Sequence, residues 1–225
     1  VIAVSGIGQV RAPGHWEARR LGALVRQRRE TVEVVPGVEY KLLGVRWYGE
    51  GAFHRETVTT ETSEATRLQP VRAGDLIYNR LFAWKGSFSI VERSLDGCFV
   101  SGEFPLFSAR AGHDIRFVGY YLLQPWVWDL VAAESTGATA VSRNRWKEEA
   151  LKNLVVPAPP YEEQKAVVDR LDELTADLRA VLTEFGARMP PEGHTLAELL
   201  MERRAALITT GVFGGPEALT GARDA

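Results

Sequence analysis

The stretch from Leu154 to Phe185 limits the fold more than any other. Leu154 to Val156 reads as a short strand, and Pro157, Pro159 and Pro160 follow within four residues. Proline fixes φ and has no N–H, so this segment is extended and stiff. Pro160 suits the first turn of a helix, and Glu162 and Glu163 lie where the helix dipole favours negative charge. From there Val167, Leu171, Leu174, Leu178, Val181 and Phe185 recur at alternating steps of four and three. That is the seam of a helix that pairs with another helix along its length, although an amphipathic helix lying on its own domain has the same pattern. A folded body over residues 1–156, a rigid elbow and a helical region over residues 157–225 are therefore expected.

Charge divides along the same line. Residues 1–153 carry 20 Lys+Arg against 17 Asp+Glu, net +3, and residues 154–225 carry 7 against 12, net −5. The body is mildly basic and the tail acidic, so any nucleic-acid contact must come from a local patch. A 45% hydrophobic fraction allows a real core. No apolar run is long enough to span a membrane, and the N-terminus lacks the charged start and apolar stretch of a secretory signal. Val1 in place of Met fits a processed start, an unusual start codon or a piece of a longer chain. Cys98 is the only cysteine, so no disulfide framework or cysteine metal site is expected and the cytoplasm is the natural compartment.

Along the body, residues 1–15 read as a loose leader with glycines at 6, 8 and 14. Short strands are expected at Glu33–Val35, Tyr40–Val45, Leu76–Arg80, Phe88–Val91, Cys98–Val100 and Pro105–Phe107, with turns at Pro36-Gly37, Tyr48–Gly51, Arg72–Asp75 and Asp96-Gly97. Phe117 to Trp128 reads as a buried helix interrupted near Pro125, and Lys147–Asn153 as a short helix or turn. After a break at Gly186–Gly193, Thr195 and Glu198 form a capping box for a second amphipathic helix carrying Leu196, Leu200 and Leu207. The class is α+β: a small mixed β-sheet core followed by a long helical, coiled-coil region.

Sequence signs of catalysis are missing. Ala158-Pro-Pro-Tyr161 has the outline of the Asn/Asp-Pro-Pro-Tyr box of adenine methyltransferases, but alanine replaces the residue that would hold the target amine. There is no Walker loop, and the four histidines lack ligand spacing. No catalytic residue, cofactor or metal is expected. What remains is polar and aromatic residues in loops: Asn79, Arg80, Trp84 and Lys85 in one set, and Ser142, Arg143, Asn144, Arg145 and Lys147 in another. Arginine and asparagine present bidentate edges that fit guanine and adenine, while lysine and serine suit phosphates. Phe82 and Trp84 are expected to be mainly buried. The competing view makes Trp84 and Trp146 core anchors and the charges solvated loops.

Several segments together resemble the specificity subunit of Type I restriction–modification systems. They are Gly74-Asp-Leu-Ile-Tyr-Asn-Arg80 with Ala83-Trp-Lys-Gly86, Ser101-Gly-Glu-Phe-Pro105, Ser135-Thr-Gly137 with Arg143-Asn-Arg145, the Pro157–Gln164 elbow, and Leu199–Thr209. The resemblance implies a target recognition domain over 1–156 and a conserved helical spacer over 157–225. It also implies sequence-specific binding of double-stranded DNA, with a methyltransferase subunit and a restriction subunit as partners and no catalysis of its own. Such a subunit has two recognition domains and two spacer helices; this chain shows one of each, as a half-subunit or fragment would. The family's spacer is usually one unbroken helix, which leaves open whether the two helical pieces here form a hairpin or stack end to end. A homodimer through Val167, Leu171, Leu174, Leu178, Val181, Phe185, Leu196, Leu200 and Leu207 would read an interrupted palindrome. The rival readings are a coiled-coil interaction or adaptor protein without DNA specificity, and a nuclease or methyltransferase with an unrecognised site.

Overall fold

The computed structural model describes residues 1–135, 145–186, 194–215 and 218, with 177–186 and 194–201 described by their backbone alone. In chain order the strands are β1 (Ile2–Val4), β2 (Gly8–Val10), β3 (Glu17–Arg20), β4 (Val25–Arg28), β5 (Val32–Glu33), β6 (Tyr40–Val45), β7 (Ala52–Val58), β8 (Arg67–Pro70), β9 (Leu76–Tyr78), β10 (Phe88–Ile90), β11 (Phe99–Val100), β12 (Leu106–Ala109) and β13 (Val155–Ala158). The helices are α1 (Ile115–Leu122), α2 (Pro125–Ser135), α3 (Glu148–Asn153), α4 (Tyr161–Gly186) and α5 (His194–Gly214). The chain is α+β. It divides into two compact units, Arg20–Leu154, and Val1–Arg19 together with Val155–Ala225. The first nineteen residues thus group with the helical segment rather than with the body, unlike the split at 156 that the elbow suggests.

The unit Arg20–Leu154 holds two sheets. One has the order β10-β9-β12-β4 and is antiparallel throughout. The other has the order β5-β8-β11-β6-β7, in which only β11 and β6 run parallel. β9 is an inner strand, and its Leu76, Ile77 and Tyr78 are all buried. Full burial of such side chains contributes about 1.5–3 kcal/mol each. β7 is an edge strand whose His54-Arg55-Glu56-Thr57 run is exposed, which is why its composition hides it. Tyr78 anchors an aromatic cluster, with ring centroids 5.5 Å from Phe88, 6.4 Å from Phe107 and 5.7 Å from Trp146. Its hydroxyl donates to the Trp146 carbonyl at 3.1 Å. Burial pushes the phenol well above its ordinary value, so it stays a donor. Trp146 is therefore a core anchor, its indole N–H donating to Glu134 at 2.8 Å.

Helices α1 and α2 form as one apolar stretch interrupted by Pro125, which opens the second helix. The Asp114 carboxylate caps α1 by accepting from the Arg116 N–H at 2.9 Å. Between β9 and β10 a 3₁₀ turn over Ala83–Lys85 ends at Gly86, where φ is +69°. A Cβ there would lie 2.4 Å from the Trp128 ring. Gly86→Ala should thus combine left-handed strain with a clash and destabilise the protein by roughly 1–3 kcal/mol, read as a lower Tm.

In the other unit the expected loose leader is a hairpin, β1 against β2 in the register Ile2↔Val10. The glycines at 6 and 8 serve its tight turn, both with positive φ. Ser5 fixes the hairpin to β13: its N–H donates to the Val155 carbonyl at 2.9 Å, and its hydroxyl accepts from the Val155 N–H at 2.8 Å. The strand at the elbow includes Pro157, tolerable in a two-stranded sheet paired with β3. α4 starts at Tyr161 and the Pro160 carbonyl accepts its first bonds, from Glu163 and Gln164 at 3.0 Å. The Glu-Gln pair then has two local tasks. Glu163 accepts from the Trp16 indole at 2.8 Å and lies 2.6 Å from His15 Nε2, while buried Gln164 donates to the Pro159 carbonyl at 2.7 Å.

The two helices fold back as a hairpin. α4 and α5 pack on each other. Gly215, just past the end of α5, lies against Trp16, whose indole holds Glu163 in the first turn of α4. Val167, Leu171 and Leu174 are buried within the chain, as are Ile208, Val212 and Phe213 of α5, and Leu207 is half-buried. Leu171→Asp would therefore disrupt the hairpin itself and not only a dimer seam. The side chains of Leu178, Val181, Phe185, Leu196 and Leu200 lie outside the described residues. α5 opens at His194, one residue before the Thr195 cap suggested by the capping box.

Candidate nucleic-acid interface

Three segments far apart in sequence meet at Arg80. Its N–H donates to the Glu103 carbonyl at 3.0 Å, and its carbonyl accepts from the Trp146 N–H at 3.1 Å. Its guanidinium donates to the Gly102 carbonyl at 2.7 Å and forms an ion pair with Glu148. Gln27 also donates to Glu148, at 3.0 Å. Arg80 thus ties Gly102–Glu103 and Arg145–Glu148 together at the end of β9.

Among the described residues, the expected contact residues have the following places. The Asn79 side chain accepts from the Leu81 N–H at 2.9 Å and shapes the turn that carries Arg80. Arg80 is largely committed to Glu148 and Gly102, which makes it a tie between loops as well as a cation. Arg145 is exposed and bidentate on Glu103, at 2.8–3.0 Å. That pairing raises its already high pKa through hydrogen bonding and charge. Lys147 is exposed just before α3, and among the described residues it forms no ion pair. Ser142, Arg143 and Asn144 lie outside the described residues. Lys85 goes elsewhere: its ammonium sits 3.7 Å from the Trp47 ring centroid and 4.9 Å from that of Trp84.

Trp84 is not mainly buried, as its surroundings in sequence suggest, but 42% exposed, and Phe82 is half-buried. The 3₁₀ turn points Trp84 outward and gives the inward place to Ala83. Sequence reasoning passed over Glu148 and the side chain of Glu103, the acids that hold the two arginines. Asp75, from the same motif as Arg80, is buried and accepts from the Arg72 N–H at 2.8 Å while pairing with Arg28. It is a structural carboxylate.

Glu148 makes this junction sensitive to acid. Burial raises its pKa, but hydrogen bonds from Arg80 and the backbone, the Arg80 charge and Gln27 outweigh this and hold it below the usual 4.5. The folded state therefore binds the proton less readily than the unfolded chain. The stabilisation is full above pH 4.5 and lost as pH falls through the lower folded value. Tryptophan fluorescence should follow release of the loop bearing Trp146 on acidification, and Glu148→Gln should remove this part of the acid dependence.

No protein-family model matches the chain, and no curated protein does. Solved structures do. The HsdS subunit from Thermoanaerobacter tengcongensis superposes with a TM-score of 0.64 at 20% identity, over 87% of this chain and 50% of that one. A chain from work on complex assembly and conformational transition of the type I R-M system matches with a TM-score of 0.60 at 18% identity, over 82% of this chain and 52% of that one. The protein spans about half the length of both, and over that half its fold is that of an HsdS subunit.

Proposed function

We propose that the protein is a DNA specificity module of a Type I restriction–modification system. Residues 20–154 read one half of a split double-stranded site, and the helical hairpin docks a methyltransferase subunit, with a restriction subunit as a further partner. The observation that supports this reading is that Arg80 and the Arg145–Lys147 segment, far apart in sequence, come together at the end of β9 in a chain with an HsdS-like fold. Arginine and lysine there suit base edges and phosphates. The protein itself carries out no chemistry. Mixed with a Type I methyltransferase subunit and S-adenosylmethionine it should direct methylation to one sequence; methyl transfer by the protein alone would contradict the assignment.

A single recognition unit reads half a site, and linking two gains affinity without new contacts. Two copies related by a two-fold axis would supply the second half and select an interrupted palindrome. Val167, Leu171 and Leu174 at the base of the α4 seam are covered by their own chain, so these three do not supply the dimer contact. Sedimentation should show a dimer when the methyltransferase subunit and DNA are present; a single copy at high concentration in that mixture would exclude it.

A further inference from the structure

We infer that Trp47, Tyr48 and Trp84, with Lys85 between the two tryptophans, form a platform that stacks on a DNA base taken out of the helical stack. This rests on the DNA-binding reading above and adds to it a site for an unpaired base.

The platform stands at the tip of the β6–β7 hairpin. Trp47, Tyr48 and Trp84 are 41%, 53% and 42% exposed, in a protein with few other large exposed aromatics among its described residues. Trp47 and Tyr48 meet edge to face at 6.5 Å, Trp47 packs on Phe82 at 5.5 Å, and Tyr48 leans on Trp128 at 6.1 Å. The tip is pinned from behind: Tyr48 and Gly49 N–H groups donate to the Lys85 and Gly86 carbonyls at 2.8 and 2.9 Å. Tyr48 is the only non-glycine with positive φ among the described residues, at +55°, and Gly49 follows at +68°. Hairpin turns with two such residues favour Asn-Gly. A tyrosine there sits in a strained conformation that turns its ring outward, and such strain gathers at working sites.

The choice of a nucleobase comes from the mixture of groups. Rigid, planar rings lose little entropy on contact and stack on any base. The Lys85 ammonium, 3.7 Å from the Trp47 ring centroid and 4.9 Å from that of Trp84, puts a positive charge within the platform, which suits the phosphate of a nucleotide. Arg46, held over the Phe53 ring at 4.4 Å, adds a second cation at the base of the same tip. Trp84 and Lys85 also follow Arg80 closely in the chain, on the turn between β9 and β10.

The test titrates the full-length protein with a mixed-sequence single-stranded oligonucleotide and, separately, with its duplex, following tryptophan fluorescence and binding. Wild type should bind the single strand with quenching. Trp47→Ala with Trp84→Ala should weaken that binding roughly 5- to 100-fold, while the double phenylalanine variant stays within a few-fold. If the double alanine variant fails to fold, Trp84→Ala alone decides, because its ring is largely on the surface. Unchanged single-strand affinity in a folded alanine variant overturns the inference. If the duplex still binds and responds to Arg145 and Lys147 substitution, the parent reading stands without it. Failure of wild type to bind either nucleic acid overturns both. Loss of methyltransferase-subunit association with nucleic-acid binding intact would make the rings a protein contact and overturn the inference as well.

Discussion

Replacing Arg145 and Lys147 by alanine, together with Arg143 from the preceding segment, is expected to weaken duplex binding on the order of 100-fold. A lost base contact should account for about 1–3 kcal/mol and relax one position of the site. Each lost phosphate contact should flatten the dependence of log affinity on log salt by roughly one unit. The bidentate Arg145–Glu103 pair competes with such a contact, but both side chains reach solvent, where water and salt screen the pairing. It gives a sharper check. If Arg145 meets DNA, Glu103→Gln frees the guanidinium and removes a repelling anion, so affinity should rise severalfold. A folded triple variant that binds as well as wild type would remove the 143–147 segment from the interface.

The second large effect concerns stability. Asp75→Ala should destabilise the protein by about 3 kcal/mol, the low end for breaking a buried ion pair. Arg28 is only 10% exposed and would lose its buried partner, though Glu30 at 2.9 Å remains, and the Arg72 N–H would lose its acceptor. Thermal melting checks this. Replacing Arg28 and Asp75 together by leucine should recover much of the loss, because the desolvated charge is then gone. Since Asp75 touches no proposed DNA contact, residual folded Asp75→Ala protein should bind DNA with near-native affinity. A specific loss of DNA binding without loss of stability would mean that this carboxylate acts at the interface.

Much of the fold was legible because local chemistry and burial agree. Tyr40–Val45 reads as a strand and is one, closely packed inside its sheet. Pro125 divides a single apolar run into two helices as its missing N–H requires. Val167, Leu171 and Leu174 are spaced as the seam of a pairing helix, and their own chain buries them. Ala52–Val58 was not legible: at an edge, β-pairing with β6 sets the conformation while the side chains face water. The N-terminal hairpin escaped for a related reason, since its strands are three residues each and Ser5–Val155 bonding holds it across most of the chain.

The candidate site was legible in its residue types and opaque in its arrangement. Arg80 and Arg145 stand out in sequence, but Glu148 is 68 residues from the first and Glu103 is 42 from the second. Only folding reveals that each arginine has an acid beside it. Trp84 and Trp146 look alike as tryptophans followed by a lysine. One is exposed on a 3₁₀ turn and the other seals the core beside Tyr78, a difference set by which neighbour the turn directs inward.

The central claim is that this protein selects a DNA sequence. The most direct measurement is to pass a randomised duplex pool over the full-length protein with a Type I methyltransferase subunit and sequence the DNA retained at moderate salt. The account predicts enrichment of one motif, lost in the 143/145/147 variant, and a two-part interrupted palindrome if two copies act together. Retention of DNA with no enriched motif, or no retention at all, would contradict it.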